Sequence, residues 1–186
     1  MISLVMDTSN SYLAVGLYQD NVCLEAFQEK GSRRQSEKAI PTLKEVLDRH
    51  DIALKDVNEM IITSGPGSYT GVRVAMTIAK TLAAVSDVRI KSVSSLAAYA
   101  GMNQALSVID ARGHKVFVGV YENGLPLIKE QVMTLEDFTQ LRAEYSDYEL
   151  VGEIGCLGLD EKECDLCANI YALGQMADPI KNVDLL

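Results

Sequence analysis

Residues 5–24, VMDTSNSYLAVGLYQDNVCL, are repeated without a gap at residues 108–127, VIDARGHKVFVGVYENGLPL. At this offset of 103, six of the twenty positions are identical, and Asp7 aligns with Asp110. An internal repeat is weighed before shorter motifs because it sets the architecture of the whole chain. Each copy begins with an apolar strand that ends in aspartate. The repeat predicts two similar β units with Asp7 and Asp110 facing each other across a cleft, where two carboxylates could handle a metal–phosphate group. The alternative is that two ordinary hairpins share a β composition by chance.

The residues around the repeat predict the same succession of elements twice. In the first half, alternation and helical spacing indicate strands at 3–6, 12–18 and 22–27, a helix at 36–50, a strand at 60–63, a helix at 71–85, a strand at 89–93 and a short capped helix ending at Gly101. In the second half they indicate strands at 106–110, 116–121 and 127–132, a helix capped by Thr134, a strand at 148–151 and a helix at 169–176. This order is typical of an α/β fold with mixed sheets. We expect two lobes, residues 1–102 and a reduced second lobe at residues 103–186.

Composition narrows the class of protein. The chain has 186 residues, 48% of them hydrophobic and 23% charged, which is ordinary for a globular protein. No apolar run reaches the roughly 18 residues of a membrane span, and the first residues lack the basic region of a signal peptide. Four cysteines are too few for a disulfide scaffold. We therefore expect a cytoplasmic protein with free thiols.

The net charge of −9 argues against direct binding of nucleic acid, which requires clustered lysine and arginine. The only basic cluster lies at residues 30–38. We expect the isolated chain to bind RNA poorly and to meet it only through a partner.

Residues 64–73, SGPGSYTGVR, join a strand to a helix and contain the ingredients of an anion site: glycines, hydroxyls and a helix N-terminus. The segment is not a P-loop, because no Gly-Lys-Ser/Thr follows. It does not fit the dinucleotide fingerprint either, because Thr70 stands where the last glycine is needed. The alternative interpretation is a tight turn whose glycines allow close packing.

The helix that follows carries a stripe of small residues: Gly71, Ala75, Ala79 and Ala83. Because residues four apart share one helix face, the stripe predicts a close approach by another helix. Most of the remaining positions are apolar, so we expect this helix to be buried on more than one side, by the second lobe or by a partner.

Other catalytic patterns are weak. Asp7, Thr8 and Ser9 after the first strand, and Asp110 and Arg112 after its repeat, form a candidate pair of phosphate-facing loops; the alternative is two Asx turns. The second loop lacks the several glycines of a phosphate loop, which argues against working catalysis.

The cysteines and histidines do not complete a metal or nucleophile site. The Cys164-x-x-Cys167 pair has only Cys156 nearby, and zinc needs four ligands. The chain has two histidines, and neither belongs to a recognisable nucleophile arrangement.

Taken together, residues 6–9, 65–80 and 108–112 resemble the TsaB, or YeaZ-type, family of tRNA threonylcarbamoyladenosine biosynthesis proteins. The likeness runs from the start of the chain to about Tyr121, with weaker support to Pro179. It implies a duplicated actin-like, sugar-kinase-like (ASKHA) fold, which agrees with the repeat.

The resemblance also implies a non-catalytic paralogue of the catalytic subunit TsaD, which transfers a threonylcarbamoyl group to the adenosine beside the tRNA anticodon. It implies pairing with TsaD through the two helices at residues 36–49 and 70–85, with the ATPase TsaE joining the pair, and a homodimer when TsaD is absent. The interface residues expected on these helices are Ala39, Leu43, Leu47, Gly71, Val72, Ala75, Met76, Ala79 and Ala83. TsaD-type relatives bind a metal with two histidines four residues apart, but Gln35 and Ala39 stand there, so no metal site is expected. No cofactor is expected beyond an ATP or ADP at a subunit interface.

Two other functions remain as alternatives. An active ATP-dependent small-molecule kinase or transferase of the same fold is weakened by the reduced second lobe. A metalloprotease is opposed by the absence of an HExxH motif or any histidine pair.

Overall fold

The computed structural model describes residues 1–31 and 35–181. Its first half contains β1 (Ile2–Asp7), β2 (Tyr12–Gln19), β3 (Val22–Lys30), α1 (Gln35–Arg49), β4 (Glu59–Thr63), α2 (Tyr69–Val85), β5 (Arg89–Val93) and α3 (Ser95–Ala100). Its second half contains β6 (Ala105–Arg112), β7 (Lys115–Glu122), β8 (Leu125–Thr134), α4 (Leu135–Glu144), β9 (Glu149–Gly152) and α5 (Leu166–Met176). The element order predicted from the sequence is confirmed, with ends that differ by up to three residues.

The strands form two sheets of the same design. The first has the order β3-β2-β1-β4-β5 and the second the order β8-β7-β6-β9. In the first sheet β1 is antiparallel to β2 and parallel to β4, and in the second sheet β6 is antiparallel to β7 and parallel to β9. Within the described residues the second sheet lacks a counterpart of β5, so the duplicated α/β fold with a reduced second lobe is confirmed.

The repeated hairpins differ in register by one residue. Val5 lies opposite Gly16, whereas Val108 lies opposite Val118 rather than Gly119. The second hairpin also contains an irregularity between Asp110 and Arg112. Thus the gapless repeat in sequence becomes two hairpins whose connecting loops have different shapes.

The first sheet is covered on both faces, which explains why β1, β2 and β4 are almost wholly apolar and buried. One face packs against α1 and α2, in a core formed by Leu4, Met6, Leu13, Val15, Ala39, Leu43, Leu47, Ala75 and Ala79. The small-residue stripe therefore brings α2 close to its own sheet, with α1 alongside. Within the chain α2 contacts α1 as well as β4, so Gly71, Ala75 and Ala79 are buried without a partner.

The other face of the first sheet packs against α5, while α3 lies between α5 and the second sheet, so this core is shared by both halves of the chain. Val5, Ile61, Ile109 and Leu166 are all members of it. The rings of Tyr18 on β2 and Tyr171 on α5 stack with centroids 4.0 Å apart. The strands before residue 103 thus form one sheet and those after it the other, but α5, the last helix of the second half, packs against the first sheet.

Both ends of α5 are tied to the first sheet. At the N-terminal end, the Gln28 amide donates to the Cys164 carbonyl (2.7 Å) and accepts from the Leu166 backbone N–H (2.9 Å). At the C-terminal end, Lys91 donates to the Gly174 carbonyl (2.8 Å) and pairs with buried Glu59 at 3.2 Å. These contacts fix the helix across the full width of the sheet, from β3 to β5.

Candidate functional site

Asp7 ends β1 inside the protein rather than in an open cleft. Its side chain is 1% exposed, and Oδ1 accepts three hydrogen bonds, from the Ser9 backbone N–H (2.8 Å), the Ser9 hydroxyl (2.6 Å) and the Thr63 hydroxyl (2.5 Å). Burial raises the pKa of this carboxyl, and the three hydrogen bonds oppose the shift only in part. The expectation that Asp7 lines the cleft is therefore wrong, because Asp7 is buried and its Oδ1 accepts from neighbouring residues.

Asp110, the repeat partner of Asp7, does lie at the cleft. It is exposed, and its Oδ1 accepts the backbone N–H of Arg112 at 2.7 Å. Asp7 and Asp110 therefore each bind the backbone N–H two residues further along, which is the Asx-turn alternative considered above. The structure does not bring the two carboxylates face to face.

An open cleft of about 440 Å³ lies between the loop after β1 and the end of β6. Ser9, Ser11, Ser68, Asp110, Arg112 and Glu153 contribute to its lining, whereas the side chains of Asp7 and Thr8 are buried behind it. Glu153, which follows β9, reaches across: its Oε1 accepts from the Ser11 hydroxyl at 2.6 Å and its Oε2 from the Asp110 backbone N–H at 3.2 Å. A second contact between the halves is the ion pair of Lys30 with Glu161.

The glycine loop before α2 is a packing element. A Cβ on Gly67 would overlap the Ser9 carbonyl, and a Cβ on Gly71 would overlap the Thr8 carbonyl. The Thr8 hydroxyl donates to the Gly71 carbonyl at 2.6 Å, and the Ser68 side chain caps α2. These glycines permit the two loops to approach each other closely. The geometry is therefore that of the tight-turn interpretation.

The expected interface residues lie mostly inside the chain. Ala39, Leu43, Leu47, Gly71, Ala75 and Ala79 are buried, while Val72, Met76 and Ala83 are half-buried. The six buried residues cannot contact a partner in this conformation, whereas the three half-buried ones retain accessible surface. The expected interface is therefore extended to exposed neighbours on the same two helices.

Those neighbours form an apolar groove of about 440 Å³ between α1 and α2. Ile40 on α1 is 61% exposed and Tyr69 on α2 is 73% exposed, and half-buried Val74 and Ile78 contribute to the lining. The Arg73 guanidinium lies 5.2 Å from the centre of the Tyr69 ring. Hereafter this surface is the α1/α2 groove.

Cys167 is buried and Cys164 half-buried, whereas Cys23 and Cys156 are exposed. Burial, with a smaller contribution from Asp165, raises the pKa of Cys164 to about 11 and that of Cys167 to about 12. Partial desolvation, with nearby Asp110, raises the pKa of the Cys156 thiol to about 11. Protonated thiols are poor metal ligands and poor nucleophiles. No group of three or more potential metal-binding side chains occurs within residues 1–31 and 35–181.

Sequence reasoning missed Ser11, Thr63 and Glu153, which decide the chemistry of the cleft. The available signal was Gly152-Glu153 directly after a predicted strand, because an acid at a strand end next to the repeat can reach the same edge. Gly152 has φ +98°, and a Cβ there would overlap the Val108 carbonyl. This turn lets the Glu153 backbone N–H donate to that carbonyl at 2.8 Å and directs the chain into the cleft.

Comparison with known proteins identifies the family. Residues 28–153 match the TsaD family, tRNA N6-adenosine threonylcarbamoyltransferase. The tRNA threonylcarbamoyladenosine biosynthesis protein TsaB of Bacillus subtilis is 33% identical over 77% of this chain and 67% of its own length. The Escherichia coli protein of the same name is 31% identical over 66% of this chain and 57% of its own length.

Solved structures agree on the fold. YeaZ from Pseudomonas aeruginosa superposes with a TM-score of 0.79 at 23% identity, covering 94% of this chain and 91% of that one. No helix of the described residues is long and apolar enough to cross a membrane. The repeated sheets, the packed glycine loop and these similarities lead to one conclusion: the chain belongs to the TsaB, or YeaZ-type, family of tRNA threonylcarbamoyladenosine biosynthesis proteins.

Proposed function

We propose that this chain is a non-catalytic partner subunit in the formation of tRNA threonylcarbamoyladenosine, and that it acts by binding a TsaD-type transferase. The α1/α2 groove carries the proposal. It combines exposed Ile40 with exposed Tyr69, and the Arg73 guanidinium faces the Tyr69 ring. Half-buried Val74 and Ile78 complete its apolar lining. Exposed apolar patches with aromatic and arginine anchors are typical of protein–protein interfaces.

A supporting role rather than catalysis agrees with the chemistry of the cleft. The Asp7 carboxylate accepts three internal hydrogen bonds, and Glu153 places a further negative charge between the two loops. A TsaE-type ATPase would join the pair, and the groove would hold a second copy of the chain when TsaD is absent. The transfer step and direct tRNA contacts would belong to TsaD.

The test is the affinity of the purified chain for a TsaD-type subunit, measured by calorimetry. Ile40→Lys and Tyr69→Ala should each weaken binding at least tenfold, because they place a charge in the groove or remove its aromatic anchor. Val85→Lys is the matched control, since Val85 is 73% exposed on the same helix but lies outside the groove. Unchanged affinity in both groove variants would exclude this surface.

A second measurement separates a partner subunit from an enzyme. ATP turnover is measured with the chain alone, with TsaD alone and with the pair, and TsaE is then added to the pair. We expect no turnover by the chain alone. Turnover that depends on this chain in the absence of TsaD would favour the kinase or transferase alternative.

A further inference from the structure

We propose that Glu153 is a built-in occupant of the interlobe cleft: its carboxylate takes the position of an anionic ligand group and thereby excludes phosphate-bearing ligands from it. The inference does not depend on the proposed partner. It concerns the hydroxyl and backbone N–H donors at this cleft and the group that binds them.

The argument begins with the two donors that Glu153 uses. The Ser11 hydroxyl comes from the loop after β1, and the Asp110 backbone N–H comes from the end of β6, the repeat counterpart of β1. They donate to different oxygens of one carboxylate, at 2.6 and 3.2 Å. A phosphate oxygen between the two loops would need the same kind of donors, hydroxyl and backbone N–H.

The backbone at Gly152 delivers this carboxylate. Gly152 has a positive φ that favours glycine, and a side chain there would overlap the Val108 carbonyl. The Glu153 backbone N–H donates to that carbonyl, which fixes the root of the side chain at the cleft. Glu153 is half-buried, so its position is set by the fold rather than by a freely rotating surface side chain.

The charges of the cleft add to the effect of Glu153. Its lining contains three carboxylates, of Asp110, Glu153 and Glu161, and one arginine, Arg112. Glu161 forms an ion pair with Lys30, which also acts electrostatically on Glu153. The donors that bind Glu153 itself are a neutral hydroxyl and a backbone N–H group, so a net negative charge stands where an anion would bind, and like charges at close range repel.

The test uses inorganic pyrophosphate as the probe, titrated into the intact chain by calorimetry at low salt. For Glu153→Ala we expect saturable, salt-sensitive binding at least tenfold tighter than for the wild-type chain, because the substitution vacates the position and frees both donors. Glu153→Gln removes the charge but still fills the position, so its gain should be smaller. Circular dichroism and thermal melting establish that each variant is folded, and Gln serves if Ala does not fold.

Two control variants separate occupancy of the cleft from other roles. Glu136→Gln removes one negative charge from an exposed position of α4 outside the cleft and leaves the Glu153 carboxylate in place, so it should gain no pyrophosphate binding. Ser11→Ala breaks the same contact between the halves while keeping the carboxylate, so it too should gain none.

Three results would overturn the inference. One is wild-type binding as tight as that of Glu153→Ala. Another is a folded Glu153→Ala protein that gains no binding. The third is an equal gain in Glu136→Gln, which would mean that net charge alone decides.

Discussion

At the scale of single residues, the repeat suggested that the Asp7 carboxylate faces the cleft, but Asp7 is buried inside the protein. All three of its hydrogen bonds end on one oxygen, Oδ1, and burial raises its pKa. An acid with a raised native pKa stabilises the fold while it is protonated. That contribution is present below the unfolded pKa, about 3.9, and is lost as the pH rises through the native pKa.

This gives a prediction for Asp7→Asn, which keeps an acceptor oxygen for Ser9 and Thr63 but has no charge. Relative to the wild-type chain, the variant should gain in free energy of unfolding as the pH rises above about 4, and the gain should level off above the native pKa. Urea unfolding at a series of pH values from 4 to 8 measures it. Parallel pH profiles for the two proteins would contradict the raised pKa.

Gly71 gives a second prediction at this scale. Alanine improves helix propensity by about 1 kcal/mol over glycine, but here its Cβ would overlap the Thr8 carbonyl, and overpacking typically costs about 1–3 kcal/mol. We expect Gly71→Ala to lower the free energy of unfolding, measured by urea titration. Thr77→Ala, at an exposed position of the same helix, should change it by less than about 0.5 kcal/mol. A stabilised Gly71→Ala protein would show that the loops can separate freely.

At the scale of elements, α5 depends on a buried ion pair. Glu59 is 1% exposed and accepts from Ser3 at 2.8 Å and from Gln175 at 3.2 Å. Burial raises the pKa of Glu59, but these hydrogen bonds and Lys91 outweigh it, so the pKa is lowered overall. Its stabilising contribution is therefore present above the unfolded pKa, about 4.3, and is lost as the pH falls through the native pKa.

We predict that Lys91→Met destabilises the chain by about 3 kcal/mol, the low end for a broken buried pair, because Arg89, 4.0 Å from the Glu59 carboxylate, remains beside it. The double variant Glu59→Gln/Lys91→Met should recover much of the loss, because no charge then remains buried. Urea unfolding at pH 7 gives both values. A double variant no more stable than the single one would show that the Gly174 contact, rather than the charge, holds the helix.

The sequence predicts which segments form helices and strands better than it predicts what those helices and strands pack against. Alternation and capping residues such as Ser94 and Thr134 act locally, and both caps are observed. The face that α2 buries could not be assigned, because a small-residue stripe is compatible with a sheet, a helix or a partner. The packing of α5 on the first sheet could not be predicted either, because Tyr18 and Tyr171, whose rings stack there, are far apart in the chain. Glu153 was missed because its role depends on the turn at Gly152.

At the scale of the whole molecule, the charge is unevenly divided. Residues 1–102 contain 11 acidic and 11 basic side chains, whereas residues 103–186 contain 15 acidic and 6 basic ones, so the net charge of −9 belongs to the second half. An acidic lobe repels a phosphate backbone, and the repulsion is screened beyond roughly 8 Å at physiological salt.

We therefore predict that the isolated chain has no measurable affinity for tRNA at moderate salt. A tRNA titration at low and moderate salt is the measurement. Salt-sensitive binding in the micromolar range would contradict the prediction. Arg33 and Arg34, the basic residues on which such binding would depend by sequence, lie outside the described residues, and a double alanine variant would test them.

The return of α5 to the first sheet also matters while the protein is being made. All five strands of that sheet have left the ribosome before α5 is translated, because β5 ends at Val93 and α5 ends at Met176. At roughly 5–20 residues per second, the apolar face that contains Val5, Tyr18 and Ile61 waits about 4–17 seconds for its cover. A nascent chain with such a face is a natural client for a chaperone at the ribosome exit, and a truncated product that stops before Leu166 would keep that face uncovered.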